Sequence, residues 1–80
     1  MQIKIHYFGI YKELTKKEIE TVELEEGTDT NSLLKFLKIK YPILEKYPEI
    51  IISLNYRYCS KSCMLNNNDE VAIMSPVSGG

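Results

Sequence analysis

A surplus of charge of either sign is missing from this sequence. Ten Lys and Arg stand against eleven Asp and Glu, a formal net charge of −1 over 80 residues. So even a balance provides no basic field for nucleic acid, and pairs such as Lys16-Lys17 read as solvated surface. Long hydrophobic runs are missing too: no apolar stretch approaches the roughly 20 residues that cross a membrane. The start, MQIKIHYF, alternates like a strand and lacks the apolar stretch and small-residue cleavage site of a signal peptide. The expectation is a cytoplasmic or similarly reducing location, with neither nucleic acid nor membrane as partner. Cysteine is scarce: Cys59 and Cys63 stand in CSKSC. Two thiols do not make the disulfide framework of a small secreted domain. The spacing is not C-x-x-C, and only His6 could supplement it where a metal site wants about four ligands. We therefore read two free thiols in a turn region, and no metal site.

Catalytic signatures are also missing. There is no G-x-S-x-G, H-E-x-x-H or P-loop pattern. The single histidine, His6, sits mid-strand and reads as a surface or partner-contacting residue. Glu18, Glu20, Glu23, Glu25 and Glu26 read as a solvated edge. GTDTNS has one glycine, too few for a phosphate-binding helix start, so capping is the better account. A chain this short buries only about 60% of its unfolded surface. One modest core favours a binding, carrier or subunit role over a self-sufficient enzyme.

What is there is an alternating pattern. In QIKIHYF, Ile3, Ile5 and Tyr7 share one face of a strand, and Lys4, His6 and Phe8 the other. Gly9 ends it, and IYKELTKK suits a short helical turn. IETVEL, 19–24, puts Glu20, Val22 and Leu24 on one side, and this mixed set suits an edge strand. In GTDTNSLLKFLKIKYP, Leu33, Leu34, Leu37 and Tyr41 make a helical stripe, with Thr28 or Asp29 as cap and Pro42 as stop. EIIISLN, 49–55, reads as a buried strand, YRYC as a hairpin partner, LNNND as a turn and EVAIMS, 70–75, as the last strand. One helix on one face of a mixed sheet of about five strands is an α+β arrangement, and the element order matches the β-grasp plan. The division expected is a domain over 1–75 and a tail over 76–80.

The tail, PVSGG, has no side-chain charge, and Gly79 and Gly80 have no side chain. Its five residues reach about 17 Å if extended. Such a tail can thread a narrow channel and deliver a terminal carboxylate. Activated with ATP as an acyl-adenylate, that carboxylate becomes an electrophile for sulfur, thiol or amine.

Over its whole length the chain resembles the MoaD-like sulfur carriers of the ubiquitin-like superfamily, the small subunits of molybdopterin synthase. The resemblance rests on the ending DEVAIMSPVSGG, the start IKIHYFGIYKEL, the SLN segment ending at Asn55, and the length. Departures are Lys12 where Arg is common, Asn68 for a usual Gly before Asp69-Glu70, and Ser75 for one of two typical prolines. Asn tolerates the left-handed conformation, so that turn can survive. The resemblance implies that an E1-like adenylating enzyme activates the Gly80 carboxylate with ATP, and that a sulfur donor converts it to a thiocarboxylate. It further implies transfer within the large subunit, in a heterotetramer, to cyclic pyranopterin monophosphate. The chain would bind no cofactor and would supply sulfur, with the catalytic pocket in its partner. Gly80 is the reacting terminus, and Gly79 keeps the approach thin.

In a β-grasp sheet the first and last strands are neighbours. Phe8 and Met74 then share an exposed apolar patch near the tail, with Tyr58 as a third member. Together with Pro76, Val77 and Ser78 these are the expected partner contacts. The rival readings are a sulfur carrier for another pathway such as thiamin synthesis, a protein modifier joined through Gly80 to lysine, and an interaction domain with an idle tail.

Overall fold

The computed structural model describes residues 1–47 and 49–76. The alternation at the start becomes strand β1 (Gln2–Tyr7). Successive side chains of a strand point to opposite faces, and Ile3, Ile5 and Tyr7 are at most 1% exposed. After it, Gly9 takes φ +55°, a conformation cheap only without a Cβ, and the chain enters α1 (Ile10–Thr15). Strand β2 (Ile19–Glu23) returns antiparallel to β1, with Ile3 opposite Val22 and Ile5 opposite Glu20.

Helix α2 (Thr30–Lys40) starts where the Asp29 carboxylate accepts the Ser32 N–H at 2.8 Å. Of the two caps expected, Asp29 is the one used; the Thr28 hydroxyl instead donates to the Glu25 carbonyl at 2.7 Å. Leu33 and Leu37 are fully buried against the sheet, with Leu34 and Tyr41 partly buried beside them. Pro42, which lacks an N–H, opens a 3₁₀ turn (Pro42–Lys46) that buries Leu44. Strands β3 (Ile51–Leu54), β4 (Arg57–Tyr58) and β5 (Glu70–Met74) complete the chain.

The sheet order is β2-β1-β5-β3-β4. β1 and β5 run parallel at its centre, and the other pairs are antiparallel. With α2 packed on one face, this is the ubiquitin-like β-grasp fold, and β2 is the edge strand expected. Val71 and Ile73 join the core from β5. The strand read over 49–55 is shorter, and within β3 only Ile52 is buried. With one face covered, alternate residues of an antiparallel strand stay outside the core.

Three dimensions correct two readings. Cys59 and Cys63, expected as free thiols, form a disulfide. The intervening loop folds back until their Cα atoms stand 6.5 Å apart, within bridging range. Thr30 grips this loop: its hydroxyl accepts the Cys63 N–H at 3.0 Å and lies 3.6 Å from Cys59 Sγ. Glu20, expected on a solvated edge, is 7% exposed. Strand parity turns it to the helix side with Val22. There its Oε1 accepts hydrogen bonds from the Tyr7 and Tyr41 hydroxyls at 2.8 and 2.9 Å. Lys17 Nζ stands 3.1 Å from Oε2, and Lys40 Nζ pairs with the same oxygen. Glu18, Glu23, Glu25 and Glu26 are exposed as read.

Candidate functional site

The sheet face away from α2 carries Lys4, His6, Ala72 and Met74, whose core-facing neighbours are Ile5, Tyr7, Val71 and Ile73. Parallel pairing sets Tyr7 opposite Ile73. The Phe8 N–H donates to the Ile73 carbonyl at 3.0 Å, which brings Phe8 level with Met74 at the C-terminal end of β5. Together with Ala72 these two side chains form the apolar part of an open groove of about 400 Å³. Phe8 is 50% exposed. The His6 ring stacks beside it, 17° from parallel with centroids 6.5 Å apart.

The other end of the groove is polar and tied down. Glu70 Oε1 accepts His6 Nε2–H at 2.9 Å and the Tyr56 hydroxyl at 3.1 Å. These two bonds, His6's the stronger influence, hold the Glu70 carboxyl below the ordinary carboxylate range. The same bond to Glu70 raises the Tyr56 phenol. Glu70 is itself fixed by the β3–β4 hairpin. Asn55 N–H donates to the Glu70 carbonyl at 2.7 Å, and Asn55 Oδ1 accepts the Glu70 N–H at 2.9 Å. The Asn55 amide also donates to Asp69 Oδ1 at 3.0 Å. Asn68 adopts φ +70°, so the turn before Asp69-Glu70 survives without glycine.

The structure therefore brings Phe8 and Met74 together. Tyr58 lies on the same face, since it pairs with Ser53 and Ser53 with Ala72, but at the outer edge of the sheet and 69% exposed. Tyr56, not singled out in the sequence, is the tyrosine that lines the groove. Its signal was the two-residue turn, Asn55-Tyr56, between SL and RY, from which the Tyr56 hydroxyl reaches Glu70 on β5. Pro76 is exposed and follows Ser75 out of the sheet. Val77, Ser78, Gly79 and Gly80 lie outside the described residues. Among the described residues no group of three or more His, Cys, Asp or Glu could hold a metal ion, and no helix is long and apolar enough to cross a membrane.

The model of the ThiS family matches residues 5–80. The chain is 33% identical over 81 residues to the molybdopterin synthase sulfur carrier subunit of Arabidopsis thaliana, covering all of this chain and 84% of that protein. Among solved structures it is similar to SAMP1 from Haloferax volcanii, with a TM-score of 0.85 at 21% identity and full coverage of both chains. It is also similar to a chain in the complex of subunits 1 and 2 of the molybdopterin-converting factor from Helicobacter pylori 26695. There the TM-score is 0.73 at 23% identity, again over all of both chains. These two structures share the fold.

Proposed function

This chain belongs to the ThiS family, and from that premise we propose that it is the sulfur-carrier small subunit of molybdopterin synthase. The observation that carries the proposal is the match of the entire chain to a molybdopterin synthase sulfur carrier subunit. The groove beside the root of the tail supports it, because a partner that grips Phe8 and Met74 is already next to the segment it must receive.

The chemistry belongs to Gly80. In the E1-like enzyme a carboxylate oxygen attacks the α-phosphate of ATP, pyrophosphate leaves, and an acyl-adenylate forms. A sulfur donor then displaces AMP and leaves a thiocarboxylate. Docked on the large subunit, the tail carries that sulfur to cyclic pyranopterin monophosphate. The residues that stabilise developing charge sit in the large subunit, and this chain is a non-catalytic donor. Gly79 matters for geometry: a Cβ there displaces the reacting atom, and about 1 Å of misplacement can cost about 10²-fold in rate.

The test is reconstitution. With the E1-like enzyme, ATP and a sulfur source, intact mass should show one terminal oxygen replaced by sulfur, and a terminal fragment should place it on Gly80. The product plus the large subunit should then convert the pterin precursor. Deleting Gly80 should abolish transfer while folding and docking persist. A terminus that is never sulfurated, or a Gly80 deletion that still yields molybdopterin, removes the carrier reading. Adducts on lysines of other proteins would put the modifier reading in its place.

A further inference from the structure

We propose that Tyr56 is a recognition residue of the docking groove, its ring held ready at the Glu70 end to contact an apolar side chain of the large subunit. This rests on the reading of the groove as the face that meets that subunit. The first ground is a local conflict. The hairpin from β3 to β4 turns through Asn55 and Tyr56 alone, with φ of +50° and +69°. A two-residue turn of this kind needs both residues left-handed, which suits Asn followed by Gly. Asn55 fits, whereas an aromatic residue at the second position is disfavoured by its Cβ.

Packing within the chain does not offset the conflict. Tyr56 is 83% exposed, so burial in the domain contributes little. Its side chain is nevertheless anchored. The hydroxyl donates to Glu70 Oε1, which also accepts from His6, while Asn55 fastens the turn to the Glu70 backbone. A bulky residue that opposes its own turn, remains exposed and is held over an apolar groove points to a contact made outside the chain. A preplaced aromatic ring also loses little freedom on binding. The side chain it meets enters between Phe8, Met74 and the Tyr56 ring, and is flanked by a polar group that can bond at the Glu70 and His6 end.

Binding and stability should separate. With the purified large subunit, affinity is measured by calorimetry and the melting temperature of the free carrier by circular dichroism. Tyr56→Gly and Tyr56→Asn both suit the left-handed position. Each should melt at or above the wild-type temperature and bind about tenfold more weakly or worse. Tyr56→Phe keeps the ring but loses the bond to Glu70, and should fall between them and wild type. Phe8→Asp serves as the control for the groove. If the Gly and Asn variants bind like wild type while Phe8→Asp does not, the Tyr56 proposal fails and the groove stands. If Phe8→Asp also binds normally, the docking reading fails with it. If both Tyr56 variants lose affinity only in step with a lowered melting temperature, Tyr56 acts through the fold and the proposal is overturned.

Discussion

A carboxylate as buried as Glu20 must be either neutral or well paired. Burial pushes its proton affinity up. The hydrogen bonds from Lys40, Tyr7, Tyr41 and Lys17 outweigh that and hold it at about 2. Burial together with this bond to Glu20 raises the Tyr7 phenol. A folded value below the unfolded one contributes stability that is full above about 4.5 and is lost as pH falls toward about 2. The gap corresponds to about 3 kcal/mol. Glu20→Gln should therefore lower stability at pH 7 by about 2 kcal/mol, because Gln keeps some hydrogen bonds but not the charge. It should also flatten the loss between pH 4.5 and 2. Urea midpoints across that range test both. Alternation places Glu20 with Val22, but three of its four partners come from β1 and the C-terminal end of α2, and only Lys17 is local. No local pattern announces a carboxylate that is satisfied from distant elements.

The elements are legible in the sequence where they obey one period. β1, α2 and β5 each carry an unbroken alternation or stripe, and the structure keeps their inward residues inward. The 59–65 segment has no period, and its order comes from tertiary bonds instead. Thr30 N–H donates to the Cys63 carbonyl at 2.9 Å, Leu65 N–H to the Thr28 carbonyl at 3.1 Å, and Leu65 is buried. The start of α2 is thus held by its own cap and by this segment together. Asp29→Ala should cost about 1 kcal/mol, read from the thermal midpoint. Replacing Cys59 and Cys63 with Ser should lower stability by about 2 kcal/mol for so short a closed loop. Thiocarboxylate formation should be left intact, because the carrier reading places the reaction at Gly80 and gives neither cysteine a part in it. A folded double variant that cannot be sulfurated, detected by intact mass, would give these cysteines a part in sulfur handling.

For the whole molecule, strand parity and the neighbouring of first and last strands were enough to bring Phe8 and Met74 together beside the tail. They were not enough to find the polar end of the groove. Glu70, His6 and Tyr56 meet through a parallel register and a left-handed turn that neither composition nor periodicity encodes. Phe8→Asp and Met74→Asp alter side chains on the uncovered face, so both variants should fold. Each should weaken docking by about 2 kcal/mol, or about 30-fold, measured by titration against the large subunit. Loss of folding instead would mean that this face supports the core.

The central parallel pair has a consequence for how the protein is made. β3 and β4 join the rest of the sheet only through β5, the last strand in the chain. On the ribosome, before residues 70–74 emerge, the β1–β2 pair and the β3–β4 pair lack the strand that joins them. Contacts between distant parts of a chain also form slowly. The native domain therefore assembles only when synthesis has passed the strand that leads into the reactive end. A chain that terminates before β5 cannot join β3 and β4 to β1 and β2, and presents no docking groove. Translation thus withholds the partner's binding site from every molecule that stops short of β5.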